Sequence, residues 1–581
     1  MQQNKDKKFN TELKTFLKDN ETPEDKLSEM TKLFQVKKSL SLFNEYKSKG
    51  YELSQLLTFL LLMPFYGAEN IYVWVKSGIA PSNANSCKDA YYVSKNDERI
   101  NWRLLLLIFA KRFRTLVNIR ETLKKEGITA IIGDDSPIQK TGKKMENISL
   151  IHDHVTGNFI FGFKILVVGF WDGGSFIPLD FSIHREKGSQ LENARKTYRV
   201  AEKRLQNINV KIAKACKVLK NKKERVLRHR SRVKENPTNT NIKFLETAIA
   251  SEKKAASKVN ELKKEFVLKD TKLKELKTEL KKVEKRYPAY GLSRKERQQQ
   301  YKKKRTIVSS GYIRNKEADA SKIEIFIAMV LRALKNGFIP DYILTDSWFF
   351  CQDLLNTVEK MKKKGVRLLS MVKQDRRTYT LLPSGKNYNA HSLLKLYERN
   401  ACYSRKLKAH YIKIPVLYGG VRVNLFFVRI GAKATWRLLI TNDLNLAFLK
   451  MMEVYQIRWS IEVFFKECKQ YLNLGGSHSS DFDGQIADAT IAMLQHIMLT
   501  FFKRMNYQQS FGYLFKDISS EIIESTLAER LWEFFLEVII NICDILKIDI
   551  VEIYEEAMKN AEAMKLMKQL IYYKKDLKIA A

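Results

Sequence analysis

Between residues 187 and 305 apolar side chains return every seven positions, first through Leu191, Tyr198, Leu205, Ile212, Leu219, Val226 and Val233. Ala194, Ala201, Ile208 and Ala215 follow three places behind. ENPTNTN at 235–241 breaks the series, and a second runs through Leu245, Val259, Phe266, Leu273, Leu280 and Tyr287. Two heptad runs joined by a Pro/Asn turn predict an antiparallel coiled-coil hairpin with arms of roughly 65 Å. The stretch holds 38 Lys or Arg against 13 Asp or Glu, more than half of the chain's net charge of +40. A solvated helix face explains polarity but not that bias of sign. Contact with a DNA backbone is the expected role, and dimerisation is its competitor.

At 581 residues the chain is too long for a single core. A pI near 9.7 points to a polyanionic partner, nucleic acid first and an anionic membrane surface second. Nothing supports the membrane. The start, MQQNKDKKFN, has no apolar signal region, and the longest apolar run, LLTFLLLMPFY at 56–66, is short and cut by Pro64. The six cysteines (Cys87, Cys216, Cys351, Cys402, Cys468 and Cys543) form no CxxC pair, which disfavours a zinc knuckle and a disulfide framework. A reducing cytoplasm, close to the nucleoid, is the expected location.

Periodicity divides the rest. Residues 1–127 read as helices; a domain that binds terminal-repeat DNA is the expectation, with a plain helical subdomain as the alternative. ITAII (128–132), FKILVVGFW (163–171) and SFIPLDFSIH (175–184) read as strands, the last two joined at Asp172-Gly173-Gly174. Beyond the basic insertion come a helix at 321–337, a strand at 341–349, a helix at 354–365 and a strand at 366–372. That order predicts an α/β multidomain chain, a mixed sheet with flanking helices. Its core is split into 128–186, 306–374 and 447–505 by the hairpin at 187–305 and a β-rich insertion at 375–446. A helical region at 506–581 follows.

The richest chemistry lies in YQIRWSIEVFFKECK, residues 455–469. Read as one helix, Tyr455, Arg458, Glu462, Lys466 and Lys469 share a stripe, while Ile457, Ile461, Phe464 and Cys468 gather opposite. One carboxylate among cations suits a metal held beside a polyanion, although an ordinary amphipathic surface helix looks the same. Other acids stand where strands end: Asp134 and Asp135 follow the first, and Asp346 ends the fourth. Carboxylates from two strands and a helix would bind two hard divalent cations through oxygen, an arrangement suited to phosphodiester cleavage and strand transfer. Lys140, Lys143 and Lys144 follow the first acids and are candidates to grip phosphates, with a solvated loop as the alternative. Trp436 and Trp459 are candidates to stack on an unstacked base, with ordinary packing as the alternative.

The spacing of Tyr455, Arg458, Glu462 and Lys469 resembles the Y-R-E-K signature of bacterial DDE transposases of insertion-sequence family four. IIGDDSPIQKTGKKME is similar to that family's first-aspartate strand, and YILTDSWF to its second. The resemblance covers roughly 128–186 and 306–505. It implies an RNase H-like core and a triad of Asp135, Asp346 and Glu462 holding two Mg²⁺, for which Mn²⁺ may substitute. Asp135 is preferred because the family's acid precedes a Thr, here replaced by Ser136; Asp134 is the rival. It further implies cut-and-paste movement of an element through end nicking, a hairpin and strand transfer. Terminal inverted repeats, target DNA and a homodimeric synapse are the implied partners, with Tyr455, Arg458 and Lys469 on the DNA end. A nuclease that cuts without joining and a non-catalytic architectural DNA protein are the other readings. The basic hairpin lies outside the family pattern.

Overall fold

The structure, a computed structural model, describes residues 26–520 except 69, 77–86, 121–126, 155, 432–433 and 506–509, and beyond 520 a few single positions. Most of the helical region expected at 506–581 therefore lies outside the described residues; 511–520 are helical. The chain divides into two compact units, one of residues 1–138, 165–184 and 302–581, the other of 139–164 and 185–301.

In chain order, helices α1 (Lys26–Leu33), α2 (Val36–Ser41), α3 (Leu53–Leu62), α4 (Ile71–Lys76), α5 (Lys88–Lys95) and α6 (Trp102–Arg120) come first. Strands β1 (Ala130–Gln139), β2 (Ser149–His152), β3 (Phe159–Trp171) and β4 (Phe176–His184) follow. Then come α7 (Ser189–Glu235), α8 (Asn239–Arg286), α9 (Arg294–Gln299), α10 (Ser310–Glu317), α11 (Lys322–Lys335), β5 (Tyr342–Thr345), α12 (Gln352–Lys360) and β6 (Arg367–Val372). The last group is β7 (Thr378–Leu381), β8 (Asn387–Asn389), α13 (Ala390–Tyr397), β9 (Cys402–Ser404), β10 (Ala409–Tyr418), β11 (Val421–Ile430), β12 (Arg437–Thr441), α14 (Phe448–Gln456), α15 (Trp459–Tyr471) and α16 (Phe482–Met505).

The larger unit is built on a mixed sheet in the order β3-β1-β5-β6-β12-β11-β10-β7-β8, with β4 on β3 and β9 on β10. β1, β5 and β6 run parallel, and from β12 onward the neighbours are antiparallel. The Asp172 carboxylate closes the β3–β4 turn by accepting from the amides of Gly174 at 3.1 Å and Ser175 at 2.9 Å. At the turn's corner Gly173 takes φ 101°, the conformation that favours glycine. The strands at 375–446 do not stand apart: β12 pairs directly with β6, Leu438 against Val372 and Thr441 against Leu369, so the expected insertion prolongs the core sheet.

The N-terminal helices belong to this unit. Glu52 and Gln55 make a reciprocal capping box at the start of α3. Phe34, Phe109, Phe113 and Phe501 form a ring cluster with centroids 5.7 to 5.9 Å apart, joining α6 to α16. Phe109 and Phe113 are fully buried, each contributing about 2–3 kcal/mol by removal of apolar surface. Ion pairs reinforce the packing, Lys95 with Asp488 at 2.7 Å and Arg103 with Asp180 at 2.7 Å.

In the smaller unit β2 pairs with the outer end of β3, His152 against Phe159. The heptad runs form α7 and α8, of 47 and 48 residues, broken at 236–238. Arg195 meets Glu284 at 2.9 Å near one end and Phe244 stacks on His229 near the other, so the two helices run antiparallel. Ile208, Val226, Ala248 and Val259 are buried in their seam. Among the described residues no helix is long and apolar enough to cross a membrane, and Cys87, Cys216, Cys351, Cys402 and Cys468 are free thiols.

Candidate active site

The apolar run ends at Ile132, but β1 continues through Gln139, so Asp134 and Asp135 lie inside a strand rather than after it. Side chains alternate across a strand, and four consecutive positions show it. The space at Gly133 is filled by Phe326 of α11, and Asp135 pairs with Lys322 of the same helix at 2.6 Å. Asp134 turns to Arg458 at 3.3 Å, and Ser136 accepts from Lys469 Nζ at 2.8 Å. One face of β1 thus belongs to α11 and the other to the α14–α15 segment.

Asp346 joins the second face. Gly133 pairs with Thr345, the last residue of β5, in parallel register, so Asp134 and Asp346 follow that pair side by side, and the charge of Asp346 acts on Asp134. Among the described residues the Asp346 carboxylate accepts no hydrogen bond, and it is half-buried. Arg458 donates to Glu462 Oε1 at 2.6 Å and to Asp134 Oδ2 at 3.3 Å, linking the late helix to the strand. Burial, aided by the charges of Asp135 and Asp346 and opposed by Arg458, pushes the Asp134 carboxyl up to about 7.

The expected single helix over 455–469 is two. α14 stops at Gln456 and α15 starts at Trp459, with the junction tightened into i→i+3 bonds, Arg458 N to Tyr455 O at 3.1 Å and Ile461 N to Arg458 O at 3.3 Å. The stripe survives because both junction residues keep helical backbone angles. Tyr455 is half-buried, its hydroxyl donating to the Thr345 carbonyl at 3.5 Å, and burial pushes its pKa up to about 12. Lys469 also donates to the Pro137 carbonyl at 2.9 Å.

Tyr455, Arg458, Glu462, Lys469 and Asp346 therefore converge with Asp134, while Asp135, favoured by the family pattern, faces the other side of the sheet. Lys466 and Trp459 are exposed on α15. Trp436 lies before β12, its indole donating to Glu398 at 3.1 Å and its ring 4.7 Å from the Arg429 guanidinium. Lys140, Lys143 and Lys144 belong to the smaller unit. There Lys140 is buried, contrary to the exposed grip expected of it; Lys143 pairs with Glu296 at 2.8 Å, and Lys144 is exposed. Sequence reading missed Trp348, two residues past Asp346, 61% exposed and 3.3 Å from Lys373 Nζ. Its signal was available, an aromatic residue in the loop after a strand-end acid.

Three carboxylates offer only oxygen, the donor set of Mg²⁺ and Mn²⁺. Among the described residues no three such groups are gathered closely enough to hold an ion, Arg458 lying between Asp134 and Glu462. Residues 310–498 match the family model of the transposase DDE domain. That match spans Asp346 and Glu462 and begins after Asp134 and Asp135. It implies a metal-dependent nuclease or transposase and supports a transposase function, acting on DNA; the mixed α/β architecture is consistent with it. No curated protein matches the chain.

Proposed function

We propose that this chain is the transposase of an insertion element, with an RNase H-like core whose acids are Asp134, Asp346 and Glu462. The carrying observation is the register that sets Asp134 beside Asp346 on the face where Arg458 reaches Glu462. Two Mg²⁺, or Mn²⁺ in their stead, would be held by these acids and would activate the attacking oxygen and stabilise the leaving one. Asp135 is given a supporting role through Lys322.

The remaining residues orient DNA. Arg458, paired with Asp134 and Glu462, and Lys469, bonded to Ser136 two residues on, are assigned to the phosphates of the cleaved end, with Tyr455 and the exposed Lys466 beside them. Trp459 and Trp348, both 61% exposed, are the candidates to stack on an unstacked base, Trp348 with one ring face already under Lys373. Trp436, already bonded to Glu398, is the weaker candidate. Cut-and-paste movement through a nick, a hairpin end and strand transfer is the proposed course, with the N-terminal helices reading terminal inverted repeats in a homodimeric synapse. The helical pair α7–α8 is read as a coiled-coil arm.

Incubating the protein and Glu462→Gln with Mg²⁺ and a duplex carrying the element's own end tests this. End-specific nicks, hairpins and joined products, lost in the variant while binding persists, are expected. Nicks without joining would favour a nuclease, and products unchanged by the substitution would remove Glu462 from the triad.

A further inference from the structure

The charges of α7 and α8 are unevenly distributed. From Lys211 to Lys234, the distal half of α7, eleven residues are Lys or Arg and Glu224 is the lone acid. The facing stretch of α8, 239–263, holds five cations and three acids. Elsewhere acids are interspersed with the cations and three ion pairs form: Arg195 with Glu284 at 2.9 Å, Lys269 with Glu265, Lys274 with Asp270 at 2.8 Å. In the distal half of α7 the ion pair among the described residues is Arg228 with Glu224, at 4.0 Å and with Arg228 77% exposed. Lys222 reaches Ser251 across the seam, and the other ten cations of this stretch are exposed, Arg228 among them.

This arrangement opposes the helix that carries it. Arg228–Arg232 and Arg230–Lys234 are like-charge neighbours one turn apart, which destabilise a helix. Adjacent cations here are closer than the ~8–10 Å over which salt screens charge at ordinary ionic strength. A polyanion spanning the stretch relieves that repulsion. Twenty-four helical residues extend about 36 Å, close to one turn of B-form DNA. The cations lie on both flanks of the seam and carry no side-chain pattern that could read base edges, so phosphate contact is the mode they fit.

We infer that the distal half of α7 is a sequence-independent clamp for the backbone of double-stranded DNA, separate from the acids and from end recognition. A second copy of the chain fits less well. The α7–α8 seam already buries its apolar residues, and the exposed Val210, Val218 and Leu227 fall on different faces rather than along a stripe. The inference rests on the DNA-acting function proposed above, but the two fail separately.

The test uses the full chain and a duplex lacking any element end. Salt dependence of binding is measured for the protein, for a variant with Lys217→Gln, Lys220→Gln, Arg228→Gln, Arg230→Gln and Arg232→Gln, and for a control with Lys263→Gln, Lys264→Gln, Lys272→Gln, Lys277→Gln and Lys281→Gln on α8. Glutamine keeps helix propensity, and circular dichroism verifies it. The slope of log affinity against log salt should become shallower by about three or more in the α7 variant and by clearly less in the control, since each phosphate contact contributes about 0.9. Equal slopes in all three proteins overturn the clamp. So does lost binding to phosphatidylserine vesicles with duplex binding intact, or a changed sedimentation mass with the slope unchanged; these outcomes point to a membrane and to a second copy. A chain that shows the slope change yet nicks no element end keeps the clamp and loses the transposase reading.

Discussion

Asp134 and Asp135 are chemically identical neighbours, and the strand that carries them sends them to opposite worlds. On Asp135's side, α11 supplies a lysine partner at 2.6 Å and Phe326 closes over Gly133. On Asp134's side lie a second acid, an arginine that also holds Glu462, and a lysine bound to Ser136. The first face is a finished piece of packing. The second gathers acids from two strands and a helix together with Arg458 and Lys469, the arrangement that the proposed binding of a metal and a phosphate chain would use.

Substitutions on the two faces should therefore act on different observables. Asp346→Asn, on the charged face, should slow end nicking roughly 10³-fold, the several kcal/mol that metal charge stabilisation supplies, while the melting temperature and DNA binding hold. Wild-type nicking would break the comparison. Gly133→Ala, on the packed face, brings a methyl group to 2.2 Å from Phe326 and should cost about 1–3 kcal/mol in denaturant unfolding; an unchanged midpoint would show that α11 yields freely.

His184 sharpens the packed face further. Burial, with Lys322 adding to it, pushes its pKa down to about 4, so the fold holds the ring neutral. The unfolded chain takes up a proton near pH 6.5, and stability is complete above that pH and falls as pH drops toward 4, by about 3 kcal/mol in the linkage limit. His184→Gln should flatten that decline whatever its effect at pH 7; an unaltered pH profile would remove His184 from it.

Much of this site was legible in the sequence because local periodicity encodes it. Glu462, Tyr455, Arg458 and Lys469 share a face by helical spacing alone, and the kink at Arg458 leaves that face intact. The heptads of α7 and α8 were equally plain. The sides that Asp134 and Asp135 take were not, because the strand runs on through polar residues after Ile132 and the apolar signal ends too early. Alternation decides between them only when the strand's true extent is known. The joining of β12 to β6 was hidden for another reason: the pairing links residues 372 and 438, and nothing local in either strand names its partner.

We propose that Asp134, not Asp135, completes the metal site with Asp346 and Glu462. Mn²⁺ titration of the full-length protein, followed by electron paramagnetic resonance, tests it without any requirement for turnover. Asp134→Asn should lose the bound-ion signal and Asp135→Asn should keep it. The opposite pattern, with Asp135→Asn losing the ion and Asp134→Asn holding it, would contradict the account.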